Sequence, residues 1–365
     1  MNIAWFRPRL EAVDVVDDAQ QLIDALSRRH TIAVFEDDNA HEFVWRHHAG
    51  AFDVIVYQLD DSRASGFMWA YLLRYPGLLV LRTSAIGASR RALLAGDARS
   101  AERRRETAFD GGYSMLRAPI AASRMVVVAH RELAEALSAR YPSTPIRHAA
   151  SGLRQPSLAT APSDTVFGVI AGTRSAGVVA RAVERARALG VSASVRSGTS
   201  PRMVLESSNV VVTLVWPPEG RAQADIIAAM ASARVPIVLE TSETSDWPSL
   251  NPQTWQPWQP QESRAPICVS LDPRDEEHSL VLTIKRLATE AELRRSLAAA
   301  AQAWWAEHFT IERSADAMDA CLRTAAALPP PPIPEGWPRH LRSDHSDTAR
   351  AILHEFGLTV DVLDR

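Results

Sequence analysis

Cysteine is almost missing from this chain: only Cys268 and Cys321 occur in 365 residues. Two thiols can build neither a disulfide framework nor a cysteine-rich zinc site, and they suit a reducing compartment, so the expected location is cytoplasmic. Long apolar runs are missing too. No stretch approaches ~18 consecutive apolar residues, and the opening MNIAWFRPRL reads as a first core strand and not as a signal peptide, so no membrane span is expected. Charge of one sign is scarce. With 40 Lys and Arg against 43 Asp and Glu the formal charge is −3, which offers no global field for nucleic acid and excludes it as an expected partner. The adjacent His47 and His48, read as part of an extended segment, would point to opposite sides, so no metal site is expected there.

What is present is apolar material in a regular order. Hydrophobic residues make up 46% of the chain, enough for two cores at this length. Short apolar runs alternate with helical patterns: strands over 2–6, 31–35, 53–58, 78–82 and 125–129, with helices over 19–29, 67–75 and 131–141 between and after them. That alternation predicts a parallel α/β sheet. Residues 146–164 are polar and turn-rich, with Pro156 and Pro162, and read as a linker. A second series follows, with strands over 165–172, 191–197, 209–216, 235–240 and 266–271 and a long helix over 276–306. The reading is α/β with two Rossmann-like domains facing across a cleft, 1–150 and 164–326, followed by a proline-rich tail and C-terminal helix, 327–365. The tail is expected to cross back over the first domain.

Several segments resemble the retaining family-four glycosyltransferases of bacteria, enzymes of the GT-B fold. They are MNIAWFRP, FDVIVYQLDDS, LLRYPGLLVLR and MVVVAHRELAEALSARYP in the first half, and LVWPPEGRAQADIIAAMASARVPIV, SDWPSLNPQTW and AQAWWAEHFTIERSADAMDACL in the second. The resemblance implies an acceptor-side first domain and a nucleotide-sugar-side second domain. It implies transfer of a hexose from a nucleotide diphosphate sugar to a glycan or lipid-linked acceptor, with no cofactor besides the donor and no metal. Arg174 and Arg221 would hold the diphosphate, Glu219 would reach the donor sugar or ribose as the catalytic carboxylate, and Gly172, Gly220 and Ala222 would bring backbone amides to the phosphates. His130, just past MVVVA, would touch the ligand at the cleft edge or serve as a structural histidine.

The motifs also depart from the family's pattern. Arg221 stands where its first Glu would be and Ala228 where its second acidic or polar residue would be. Ala176 and Gly177 lie where a Lys is expected, no glycine occurs between Met1 and Gly50, and Thr83 and Ser84 replace a His-Asp pair. Arg221 therefore either serves a phosphate or pairs with Asp225, four residues on. Arg103, Arg104 and Arg105 read as a solvated helix face or as a contact for a membrane surface or an acidic partner. The alternative function is a catalytically silent GT-B module that binds a partner glycosyltransferase or a glycan; a nucleotide-sugar epimerase is a third reading.

Overall fold

The computed structural model describes residues 1–9, 18–95, 100–110, 114–158, 162–170, 173–198, 200–215, 220–241, 244–258, 264–332, 337 and 347–358. Two separate six-stranded sheets run through it. The first contains β1 (Asn2–Phe6), β2 (Thr31–Phe35), β3 (Val54–Leu59), β4 (Leu78–Leu81), β5 (Met125–Val128) and β6 (Ile146–His148), in the order β2-β1-β3-β4-β5-β6. All of its pairings are parallel. Its central strands are continuous apolar runs because helices cover both faces, and every side chain of β3 and β5 is buried. The helices are α1 (Asp18–Leu26), α2 (Glu42–His48), α3 (Met68–Arg74), α4 (Gly87–Leu93), α5 (Ser100–Asp110), α6 (Arg117–Ala121) and α7 (Arg131–Arg140).

The second sheet contains β7 (Val166–Ile170), β8 (Ser194–Gly198), β9 (Val210–Thr213), β10 (Val235–Leu239), β11 (Ser249–Leu250) and β12 (Cys268–Leu271), in the order β11-β12-β10-β9-β7-β8. It too is parallel throughout. Between its strands lie α8 (Thr173–Ala188), α9 (Pro201–Glu206) and α10 (Gly220–Ala231). After them come α11 (Glu276–Thr289), α12 (Ala291–His308), α13 (Ile311–Ala327) and α14 (Asp347–Glu355). Thr310 and Ser200 cap α13 and α9, each side-chain oxygen accepting from the backbone amide three residues on.

The return crossing begins before the tail. Leu153 N donates to Phe309 O at 2.9 Å, and α13 then packs on α1 with Ile311, Met318 and Leu322 in one cluster with Ile3, Trp5 and Val56. Its polar side is tied down as well: Asp319 lies 2.7 Å from His30 Nε2 and Asp316 lies 2.6 Å from Arg29. A segment that follows the second sheet thus covers one face of the first. In the tail, Trp337 is buried in the first core against Phe109.

Several elements differ from the sequence reading. Residues 42–48 form α2 and not an extended segment, so His47 stacks on Phe43 at 5.1 Å and meets Tyr75 edge-on at 4.9 Å. Residues 146–148 of the expected linker add β6 to the sheet edge, where only Ile146 is buried. The long helix breaks at Glu290, because Arg294 Nη1 donates to Leu287 O and Ala288 O, the carbonyls a continuous helix would use itself.

His47 and His308 share an electrostatic consequence. Burial holds both imidazoles below their ordinary range, with Arg264, Arg313 and Arg131 adding to the effect at His308 and Glu307 opposing it. A depressed folded pKa means that the unfolded chain binds more protons just below its own pKa of ~6.5, so stability falls as pH drops through that value. The thermal midpoint is expected to fall between pH 7.5 and 5.5. His47→Asn and His308→Asn should each flatten that slope; a slope unchanged in both variants would refute the assignment.

Candidate functional site

In a parallel sheet all carboxyl ends lie on one edge, and the loops that leave it carry the ligand-facing residues. On the second sheet that edge holds a cavity lined by Thr213 and Val215 after β9, Leu239, Thr241, Thr244 and Trp247 at and after β10, and Gln223 and Ile226 of α10. Its far wall is His130, the residue between β5 and α7 of the first half. The two carboxyl edges therefore face each other. Ser245 Oγ donates to Glu132 Oε2 across the gap at 2.7 Å. Nearby, burial raises the Asp246 carboxyl above its ordinary range, while Arg131 and His148 of the first half pull it back.

The loop after β10 keeps its shape through Thr244, whose Oγ1 donates to Leu239 O at 2.7 Å and accepts from Thr241 N at 3.1 Å. Thr213 Oγ1 is buried without a hydrogen-bond partner among the described residues. Gln223 is 5% exposed, and no hydrogen bond joins its amide to a described residue. Among the described residues that line this cavity there is no Asp, Glu, Lys or Arg.

A second cavity opens at the carboxyl edge of the first sheet. Its floor is Trp5 and Gln58, its sides include Ala19, Val80, Val128 and Ser151, and Gln223 of the other half reaches it too. Arg82 Nη2 donates to Asp18 Oδ1 at 3.0 Å along the wall.

The helix starts expected to receive phosphate fall at the carboxyl edge of the second sheet. Arg174 is the second residue of α8 and Arg221 the second of α10, with Gly220 and Ala222 in the same first turn of α10. The side chains of Arg174, Arg221 and Ala222 lie outside the described set, as do residues Gly172 and Glu219. Ser175 Oγ donates to Leu214 O at 2.9 Å and ties the start of α8 to the end of β9, the strand that leads to α10. Both helices begin at this edge, and a helix start carries amides without an intrahelical acceptor and a positive dipole end. Ala228, read from the sequence as occupying the place of the family's second acidic or polar residue, is fully buried among Ile227, Ala229 and Met230. Thr83 closes a turn, its Oγ1 donating to Ala85 O at 3.1 Å.

Sequence reasoning placed His130 at the cleft and missed Gln58, Thr213, Gln223 and Thr244. No motif marks those four; for Gln58 and Thr213 the available signal was polarity at or beside a strand end, as in VIVYQL and VVVT. Among the described residues no cluster of His, Cys, Asp and Glu is arranged to hold a metal, and no helix is long and apolar enough to cross a membrane.

No family model and no curated protein sequence matches the chain. Solved structures do. Anabaena HepE, crystallised in complex with UDP-glucose, superposes with a TM-score of 0.51 at 13% identity, over 89% of this chain and 100% of that one. WaaG, a glycosyltransferase involved in lipopolysaccharide biosynthesis, gives a TM-score of 0.51 at 10% identity, over 86% of this chain and 98% of that one. At such identities the likeness is one of architecture, and on that ground the chain has the two-sheet GT-B fold of these glycosyltransferases.

Proposed function

We propose that this protein is a glycosyltransferase-like protein that holds a nucleotide diphosphate sugar between its two sheets and moves a hexose to a glycan or lipid-linked acceptor. The observation that carries the reading is the start of α10 at the carboxyl edge of the second sheet, where Gln223 lines a cavity opposite His130, with the start of α8 tied to the end of β9 through Ser175. Transfer breaks the anomeric C–O bond to the diphosphate, and the charge that grows on the leaving group is what helix amides with Arg174 and Arg221 would stabilise. Glu219, directly before α10 in sequence, is the carboxylate assigned to the donor sugar. Occupation of the same fold by UDP-glucose in HepE supports a nucleotide sugar as the ligand class.

A second reading, ligand binding without transfer, is favoured by the uncharged lining of the second-sheet cavity among its described residues and by the burial of Ala228. One measurement separates the outcomes. The thermal midpoint is recorded with a panel of UDP-, GDP- and ADP-sugars; a ligand held at 100 times its Kd should stabilise by ~2.7 kcal/mol. Arg174→Ala combined with Arg221→Ala is expected to abolish the shift. A shift that survives the double substitution sinks the phosphate assignment, and no shift with any nucleotide sinks the donor reading. Hydrolysis or transfer of the bound donor then distinguishes the enzyme from the silent module.

A further inference from the structure

The two sheets end in four edge strands, β2 and β6 on the first and β11 and β8 on the second. An open edge offers unpaired amides and carbonyls to another strand, and proteins blunt it with charge, proline, bulges or short length. β6 carries the exposed Arg147 and His148, β8 carries the exposed Arg196, and β11 is two residues long. β2 has none of these devices. It reads TIAVF and keeps a regular five-residue register with β1. Thr31 N donates to Met1 O and Phe35 O accepts from Arg7 N, so residues 31, 33 and 35 turn their backbone groups toward β1 and residues 32 and 34 turn theirs outward. Asn39 Nδ2 donates to Val34 O at 3.2 Å; the Ile32 amide and carbonyl and the Val34 amide bond to no described residue.

The charges at the two ends of β2 have opposite signs. Arg28 and Arg29 precede the strand, and Glu36, Asp37 and Asp38 follow it. Arg29 is paired with Asp316, Glu36 with Arg7 and Asp38 with Arg9, whereas the exposed Arg28 and Asp37 make no ion pair with a described residue. Beside the strand, α2 leaves Trp45 80% exposed, and Arg46 of the same helix sits 5.5 Å from the centre of the Phe35 ring, so apolar surface extends past the strand. We propose that β2 is the interface of a two-fold dimer, paired antiparallel with β2 of a second copy of this chain. The charges select that occupant: an antiparallel copy sets the Arg28–Arg29 end of one protomer against the Asp37–Asp38 end of the other, and the two-fold axis repeats the match. With the axis at Ala33, Ile32 of one protomer faces Val34 of the other, so the outward amides and carbonyls meet as hydrogen-bonded pairs and the smallest side chain of the strand lies at the axis. The contact closes on itself, because pairing uses up the open edge and the opposite edge, β6, is short and charged. A five-residue strand buries less than the ~800 Å² per partner of a stable interface, so the dimer is a weak one.

Sedimentation velocity on the full chain over a wide range of concentration tests this. A monomer–dimer equilibrium is expected, with a Kd on the order of micromolar and weaker at high salt. Where the dimer dominates, hydrogen exchange at the Ile32 and Val34 amides should slow, while exchange in β8, at the edge of the other sheet, stays unchanged. Ile32→Pro removes an outward amide and spares the ladder to β1, so it should hold the chain monomeric with its near-UV circular dichroism intact. Arg28→Glu and Asp37→Arg should each weaken the dimer by about tenfold, since the axis repeats each lost contact, and the two combined should restore it. If Ile32→Pro does not fold, the charge reversals decide alone. The proposal fails if the chain is monomeric throughout, if association leaves Ile32 and Val34 exchange unchanged, if a folded Ile32→Pro associates like the wild type, or if the double reversal binds no tighter than the single ones. Growth into open-ended aggregates without a dimer would overturn the two-fold closure.

Discussion

Phe6→Ala is expected to destabilise the first half by about 3–5 kcal/mol, the cost of emptying a well-packed aromatic site. Phe6 is the last residue of β1 and fully buried. Its ring stacks on Phe35 at 5.1 Å and on Tyr57 at 5.0 Å, and meets Phe43 edge-on at 4.9 Å. Those rings come from β2, β3 and α2, so truncation strips contacts from three elements at once. They are held by the sheet register, which sets Phe6 opposite Phe35 on one side and Tyr57 on the other, leaving little room for collapse into the void. Phe6→Leu keeps much of the volume and should cost under about 1.5 kcal/mol. Strand alternation sends Trp5 to the opposite face, into the cluster with α13, so that packing should outlast the loss. Denaturant titration followed by hydrogen exchange in β1 reads the effect; a cost below 1 kcal/mol for the alanine variant would refute this account of the core.

The fold was legible because both-face burial leaves runs such as VIVYQL, MVVV and VPIVL that only a covered parallel strand tolerates. α2 escaped because EFVWRHH buries a single side chain, Phe43, and so carries no helical stripe. β6 escaped because an edge strand of three residues with one buried has no alternation to read. The helix break at Glu290 needed neither glycine nor proline, only the Arg294 guanidinium folding back on two carbonyls. The site was far less legible. His130 was placed by its position after a strand, and the starts of α8 and α10 by resemblance. Gln58 and Gln223 are ordinary residues in sequence, and only tertiary packing makes them buried amides facing a shared space. Local pattern encodes which way a strand faces; it does not encode which polar group is left over once two sheets meet.

Gly152→Ala is the second large effect, because two connections between the halves touch at that residue. A Cβ there would lie 2.3 Å from Thr310 O, 2.8 Å from Thr310 C and 2.8 Å from Ser314 Cβ. The obstacle is backbone, so no rotamer change relieves it. Either the linker lifts, breaking the Leu153 N to Phe309 O bond of 2.9 Å, or the first turn of α13 moves and drags Ser314 out of the cavity wall. Overpacking of this kind costs on the order of 3 kcal/mol. Gly190 is the control: it has a φ of +83° but open space around its Cβ position, so Gly190→Ala should cost only about 1 kcal/mol of backbone strain. Gly152→Ala should therefore lower the thermal midpoint further than Gly190→Ala and speed hydrogen exchange at the Leu153 amide. An unchanged midpoint with unchanged Leu153 protection would show that the linker and the start of α13 are not in contact, and the account of how the two sheets are held edge to edge would fall with it.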